Sequence, residues 1–127
     1  MKLVSQPDRS YSCGQCCVTM VSGTSLKIAI SSMGSKGCTT AKKIAKALKD
    51  SGIECGTRLI PIYNKFDNLP EFCIVKVKLS WKKYGFHWVV KLKDEIYDPG
   101  LYGKIPLTRY LMLKDLTISS YLRIETP

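Results

Sequence analysis

The chain has 127 residues, 45% of them hydrophobic and 24% charged, a length and balance that suit one globular domain with a buried core. No run of about 18 or more apolar residues occurs, which excludes a transmembrane helix. Twenty Lys and Arg against ten Asp and Glu leave a net charge of +10. Charge of that sign suits an acidic partner (nucleic acid, an anionic membrane surface or an acidic protein) or a solubilising lysine coat, and it says nothing about fold.

The N-terminal "MKLVSQPDRS" lacks the apolar core of a secretory signal. The expected location is therefore the cytoplasm, of the producing cell or, for a delivered toxin, of its target. The next stretch, "SYSCGQCCVTMVSG", reads as a helix. Cys13, Cys17, Met20 and Val21 stand at i, i+4, i+7 and i+8, with Ser12 as N-cap and Gly23 as stop. "TSLKIAISSMG" reads as a second short helix, opened by Thr24 or Ser25 and closed by Gly34. "TTAKKIAKALKDSG" is the clearest: Ala41, Ile44, Ala45 and Leu48 form an apolar stripe, Lys42, Lys43, Lys46 and Lys49 lie opposite, and Gly52 follows.

The texture then changes. "CGTRLI", "FCIVKVKL", "FHWVVKLK", "EIYDP" and "SSYLRIE" are short and rich in β-branched or aromatic residues, as strands are. "IVKVKL" and "VVKLK" alternate apolar and basic, the pattern of a half-exposed antiparallel strand. "LKDEIY" joins two runs through a tight polar turn, a hairpin. "DPGLYG" breaks the chain, and "LYGKIPLTRYLMLKDL" reads as a loop plus a short helix. The expectation is a single α+β domain over 1–127, helical over about 1–52 and sheet over about 53–127.

Six cysteines stand at 13, 16, 17, 38, 55 and 73. With no export signal they read as reduced thiols, and Cys38, Cys55 and Cys73 as small buried hydrophobes. The chain has one histidine, His87. That removes a two-Cys, two-His zinc site, and no second close cysteine pair completes a four-Cys one, so neither metal nor cofactor is implied. Cys13-Gly-Gln-Cys16 has the spacing of a dithiol redox motif, but a polar loop precedes it rather than the buried strand of a βαβ unit.

A Cys-His-Asp hydrolase is the remaining chemistry. Cys13 begins a helix, where free N–H groups and the dipole favour a thiolate. His87 starts one strand of the hairpin and Asp98 ends the other. A two- or four-residue turn sets Asp98 across from Val89 and makes it the diagonal neighbour of His87, about 7–8 Å away at the backbone. That supplies nucleophile, base and orienting carboxylate. Cys13 is expected exposed, Cys17 buried, and Cys16 off the packed face.

"QPDRSYSCGQCCVTM", followed about 75 residues later by "HWVVKLKDEIYDP", resembles the bacterial papain-like cysteine peptidases, above all the peptidase domains of bacteriocin exporters and papain-fold effector and toxin domains. The resemblance spans residues 6 to 99. It implies a papain-like fold, with N-terminal helices carrying the Cys packed on an antiparallel sheet carrying His and Asp. It implies Cys13 as nucleophile, His87 as base, Asp98 as orienting acid, and Gln6 as an oxyanion donor beside the Cys13 N–H. It further implies a peptide or protein substrate, and a stand-alone effector or toxin in place of an exporter's processing domain. An acidic immunity protein would suit the charge.

Two other readings stay open. Side-chain deamidation or transglutamination uses the same acyl-thioenzyme. A non-enzymatic or nucleolytic nucleic-acid binder on the same scaffold, such as an RNA-targeting toxin, would use Lys76, Lys78, Lys82, Lys83, Lys91 and Lys93 with Trp81, Tyr84 and Trp88 between them.

Overall fold

The computed structural model describes residues 1–7, 11–63, 69–80 and 85–125. Three helices come first: α1 (Cys13–Ser22), α2 (Leu26–Met33) and α3 (Ala41–Asp50). Then follow β1 (Ile60–Pro61), β2 (Phe72–Leu79), β3 (Phe86–Leu92), β4 (Glu95–Asp98), β5 (Gly103–Pro106), the one-turn α4 (Leu107–Tyr110) and β6 (Leu116–Arg123). The protein is α+β, with its three longer helices N-terminal to an open antiparallel sheet ordered β1-β6-β2-β3-β4-β5.

Local chemistry explains the helix ends. Gly23 and Gly34 close α1 and α2 at φ 77 and 69, a left-handed conformation that glycine adopts without Cβ strain. Ser25 Oγ accepts from Ile28 N at 3.2 Å, and Thr40 Oγ1 from Lys43 N at 3.3 Å, each capping its helix. Ser12 holds the cap position of α1 without acting as a cap. Its φ and ψ of −90 and 20 are not the extended pair a capping side chain needs. Its hydroxyl instead donates to Lys36 O at 2.5 Å, tying α1 to the α2–α3 connection. On α3, Ile44, Ala45, Ala47 and Leu48 are buried while Lys42, Lys43, Lys46 and Lys49 are exposed. Each fully buried Leu or Ile contributes about 1.5–3 kcal/mol.

The expected hairpin is present. Lys93 and Asp94 form a two-residue turn, and the ladder pairs Val90 with Tyr97, Lys91 with Ile96 and Leu92 with Glu95. One more step of that register sets Asp98 opposite Val89.

Three strand expectations need correction. β2 and β3 are not half-exposed. The helices cover one face over Ile74, Trp88, Val90, Tyr97 and Leu122, and a second cluster around Tyr110 covers Cys73, Val75, Val77, Val89 and Ile96 on the other. The lysines that suggested a wet face are placed individually: Lys91 is 5% exposed, and Lys76 lies over the Phe86 ring at 4.2 Å. "CGTRLI" is mostly not strand. Cys55 makes a lone bridge to Ile124, and only Ile60–Pro61 pairs with β6. Finally, β5 forms within "LYGKIP". Four residues flanked by Gly and Pro carry no periodicity, so the pairing with β4 makes the strand.

Candidate active site

Cys13 is the first residue of α1, ahead of the first helical bond, from Cys16 N to Ser12 O. Its own N–H and those of Gly14 and Gln15 are therefore the free N–H groups of a helix start. Gly14 lets this turn sit on β3. A Cβ there would overlap the Thr39 methyl and lie 3.4 Å from Trp88 Cδ1 and 3.5 Å from Ile44 Cδ1. Gln15, fully buried, donates from Nε2 to Ser35 O at 2.7 Å and Gly37 O at 2.9 Å, fixing the same turn from its other side.

His87 and Asp98 come from the hairpin. By strand alternation His87 shares a row with Val89 and Lys91, and Asp98 shares one with Ile96. β4 ends at Asp98 and the chain turns through Pro99 and Gly100, so among the described residues no strand pairs with β3 on that side at His87. The ring is thus reachable from both layers. His87 Nε2 and Asp98 Oδ1 are 2.5 Å apart, with both side chains buried. Asp98 Oδ1 also accepts from Gly100 N at 2.9 Å and Leu101 N at 3.0 Å, an Asx-type turn that holds the carboxylate still. With Nε2 engaged by Asp98, Nδ1 is the nitrogen left to face the Cys13 side chain, to which the ring is electrostatically coupled.

Burial disfavours a charged imidazole, but the hydrogen bonds to Asp98 and Cys13 and the charges of both outweigh it and lift His87 from 6.5 to about 9. Burial is the largest influence on the neighbouring thiols. It pushes Cys16 up to about 11, with Cys13 adding to the effect, and holds Cys17 well above its ordinary value.

Gln6 reaches the same place. Its backbone N–H donates to Pro99 O at 2.8 Å. A Cβ on Gly100 would lie 2.5 Å from Gln6 Nε2 and 2.9 Å from His87 Cε1, so the Gln6 amide and the imidazole both rest against that glycine. The four residues singled out in the sequence thus fall into one cluster: His87 hydrogen-bonded to Asp98, Cys13 coupled to the ring, and Gln6 at its edge.

Two glycines escaped the sequence reading. Gly14 and Gly100 carry no side chain, yet each provides the close approach that assembles the cluster. Their signal was adjacency, Cys-Gly and Asp-Pro-Gly.

No protein-family model matches the chain, and no curated protein matches it. What the site can do follows from its geometry.

Other expectations change at this level. Cys13 is 8% exposed, not open to solvent. The ring and the first turn enclose it, and only a narrow face is left. Cys38 is exposed and Cys55 partly so; only Cys73 of the three is a fully buried hydrophobe, its thiol raised by burial to about 12. The basic patch loses members: Lys91 Nζ donates to Pro70 O at 2.7 Å inside the fold, and Trp88, 3% exposed, packs under the helices. Lys78 and Lys93 are exposed. Trp81, Lys82, Lys83 and Tyr84 lie outside the described residues. Among the described residues no group of three or more His, Cys, Asp and Glu could hold a metal ion, and no single helix is long and apolar enough to cross a membrane.

Proposed function

We propose that this protein is a papain-like cysteine hydrolase that cleaves peptide bonds through Cys13, His87 and Asp98. The observation that carries this reading is the buried cluster itself: one histidine, hydrogen-bonded to a carboxylate and electrostatically coupled to a thiol at a helix start. Helices that carry the nucleophile and an antiparallel sheet that carries base and acid support the papain-like comparison.

The chemistry follows. His87 Nδ1 takes the Cys13 proton, and the thiolate sulfur adds to the amide carbonyl carbon. The carbonyl electron pair moves to oxygen, which the Cys13 N–H and the Gln6 Nε2 amide stabilise. As the C–N bond breaks, the imidazolium gives its proton to the leaving nitrogen, and a thioester remains on Cys13. His87 then deprotonates a water that attacks the thioester, releasing the acid and restoring the thiol. Asp98, held by Gly100 N and Leu101 N, keeps the ring oriented and stabilises its charged form. Ammonia in place of a peptide amine as leaving group, or an amine in place of water as acceptor, turns the same cycle into deamidation or transglutamination.

Iodoacetamide labelling at neutral pH with mass-spectrometric site mapping tests the nucleophile, and a peptide library tests the reaction. Cys13 is expected to react ahead of the other five thiols, and His87→Ala to slow both that reaction and turnover. Equal labelling of all six would sink the proposal. New peptide termini identify a peptidase; released ammonia or a cross-linked amine identifies the other outcomes.

A further inference from the structure

Cys16 takes no part in the cycle above, yet it stands one helical turn from the nucleophile. It is fully buried but belongs to neither apolar cluster, whereas Cys17 packs within the helix-side core. We infer that Cys13 and Cys16 form an oxidative modification site, in which a hydroperoxide oxidises Cys13 and Cys16 captures the product as a disulfide across the first turn of α1.

The placement supports each part. Residues three apart on a helix have Cβ atoms about 5–6 Å apart, and a disulfide needs about 4 Å. The missing distance is available because the Cys13 N–H precedes the helical ladder, so Cys13 can shift without breaking a bond donated by its own backbone. Cys16 cannot close instead on Cys17, because adjacent residues on a helix do not face each other. Cys13, 8% exposed, admits a small peroxide, while Cys16, with no exposed surface, meets only its neighbours. Burial keeps Cys16 a protonated thiol, which suits a second reactant and not a first target.

The steps balance. The Cys13 thiolate attacks the terminal oxygen of the hydroperoxide; the O–O bond breaks, the alkoxide or hydroxide leaves, and Cys13 becomes a sulfenic acid. The Cys16 sulfur then attacks the Cys13 sulfur, the S–O bond breaks, and the Cys16 proton leaves with the hydroxyl as water. A thiol reductant returns both cysteines. The disulfide silences the nucleophile while shielding it from irreversible sulfinic acid. This goes beyond the hydrolase reading, though both need a reactive Cys13.

The test treats the full chain with hydrogen peroxide, caps remaining thiols with N-ethylmaleimide, and maps the peptide carrying residues 13, 16 and 17 without reduction. The expected product has Cys13 joined to Cys16 and the maleimide on Cys17, with iodoacetamide reactivity of Cys13 lost and then restored by dithiothreitol. In Cys16→Ala, whose folding is checked by Cys13 labelling before oxidation, peroxide should give sulfinic acid that dithiothreitol does not reverse. A bridge to Cys17, no bridge in the wild type, or equal sulfinic acid with and without Cys16 overturns the inference. Loss of preferential Cys13 labelling before any peroxide is added counts against the hydrolase reading instead, since the bridge is mapped independently.

Discussion

Beneath the three helices the sheet presents Ile74, Trp88, Val90, Tyr97 and Leu122, all buried and all apolar or aromatic. On the opposite face Val75, Val77, Val89 and Ile96 are equally buried but share their rows with His87, Lys91 and Asp98. Buried ionisable groups are expensive unless paired. Here two of the costs are reduced by fixed partners: Lys91 by the Pro70 carbonyl, and Asp98 by two backbone N–H groups and His87 on Oδ1, while its Oδ2 is buried with no hydrogen-bond partner among the described residues. One face is thus optimised for packing. The other accepts a polar cost where the proposed chemistry uses a base, and Cys13 joins the two where β4 leaves the edge of β3.

The largest break in this comparison should come from the row itself. His87→Ala is expected to lower turnover about 10²–10⁴-fold, the usual weight of a general acid–base group, with kcat falling more than KM rises. Gly100→Ala tests the same face through geometry. Its Cβ would press on Gln6 Nε2 and His87 Cε1, and a displacement of about 1 Å costs on the order of 10²-fold. Gly100 is exposed, so its thermal midpoint should hardly move; a large drop in stability with unchanged activity would falsify the assignment. Gly14→Ala probes the packed face. Overpacking against the Thr39 methyl should cost about 1–3 kcal/mol in denaturant unfolding.

The two faces should also differ in pH response. His87 at about 9 in the fold lies above its ordinary 6.5. Below 6.5 the ring is charged whether folded or not, so its contribution is fully present. As pH rises from 6.5 through 9 the folded form loses that proton and the contribution fades, a loss on the order of 1–3 kcal/mol. Unfolding free energies at pH 6 and 10 should therefore fall more for the wild type than for His87→Ala, and turnover should decline over the same alkaline limb. The smallest effect belongs to Tyr110, whose hydroxyl is buried with no hydrogen-bond partner among the described residues. Tyr110→Phe removes that orphan and should leave stability unchanged or raise it by about 1 kcal/mol, read as the thermal midpoint.

How much of this was legible beforehand depended on the range of the forces involved. The boundaries of α2 and α3, the glycine stops, the amphipathic stripe of α3 and the hairpin register are local, set by side-chain spacing and a two-residue turn. They could be read along the chain, and the register alone set Asp98 opposite Val89. The order Gln6, Cys13, His87, Asp98 was likewise visible as a pattern. What the tertiary structure decided is everything that depends on a distant neighbour. β5 is a strand because β4 lies beside it. Lys91 is buried because the Pro70 carbonyl waits there. Ser12 caps nothing because Lys36 takes its hydroxyl. Cys13 is enclosed because His87 reaches it from the sheet. Gly14 and Gly100 matter only through the side chains brought against them, from Thr39 in one case and from Gln6 and His87 in the other, and a residue with no side chain gives no periodic signal of that role.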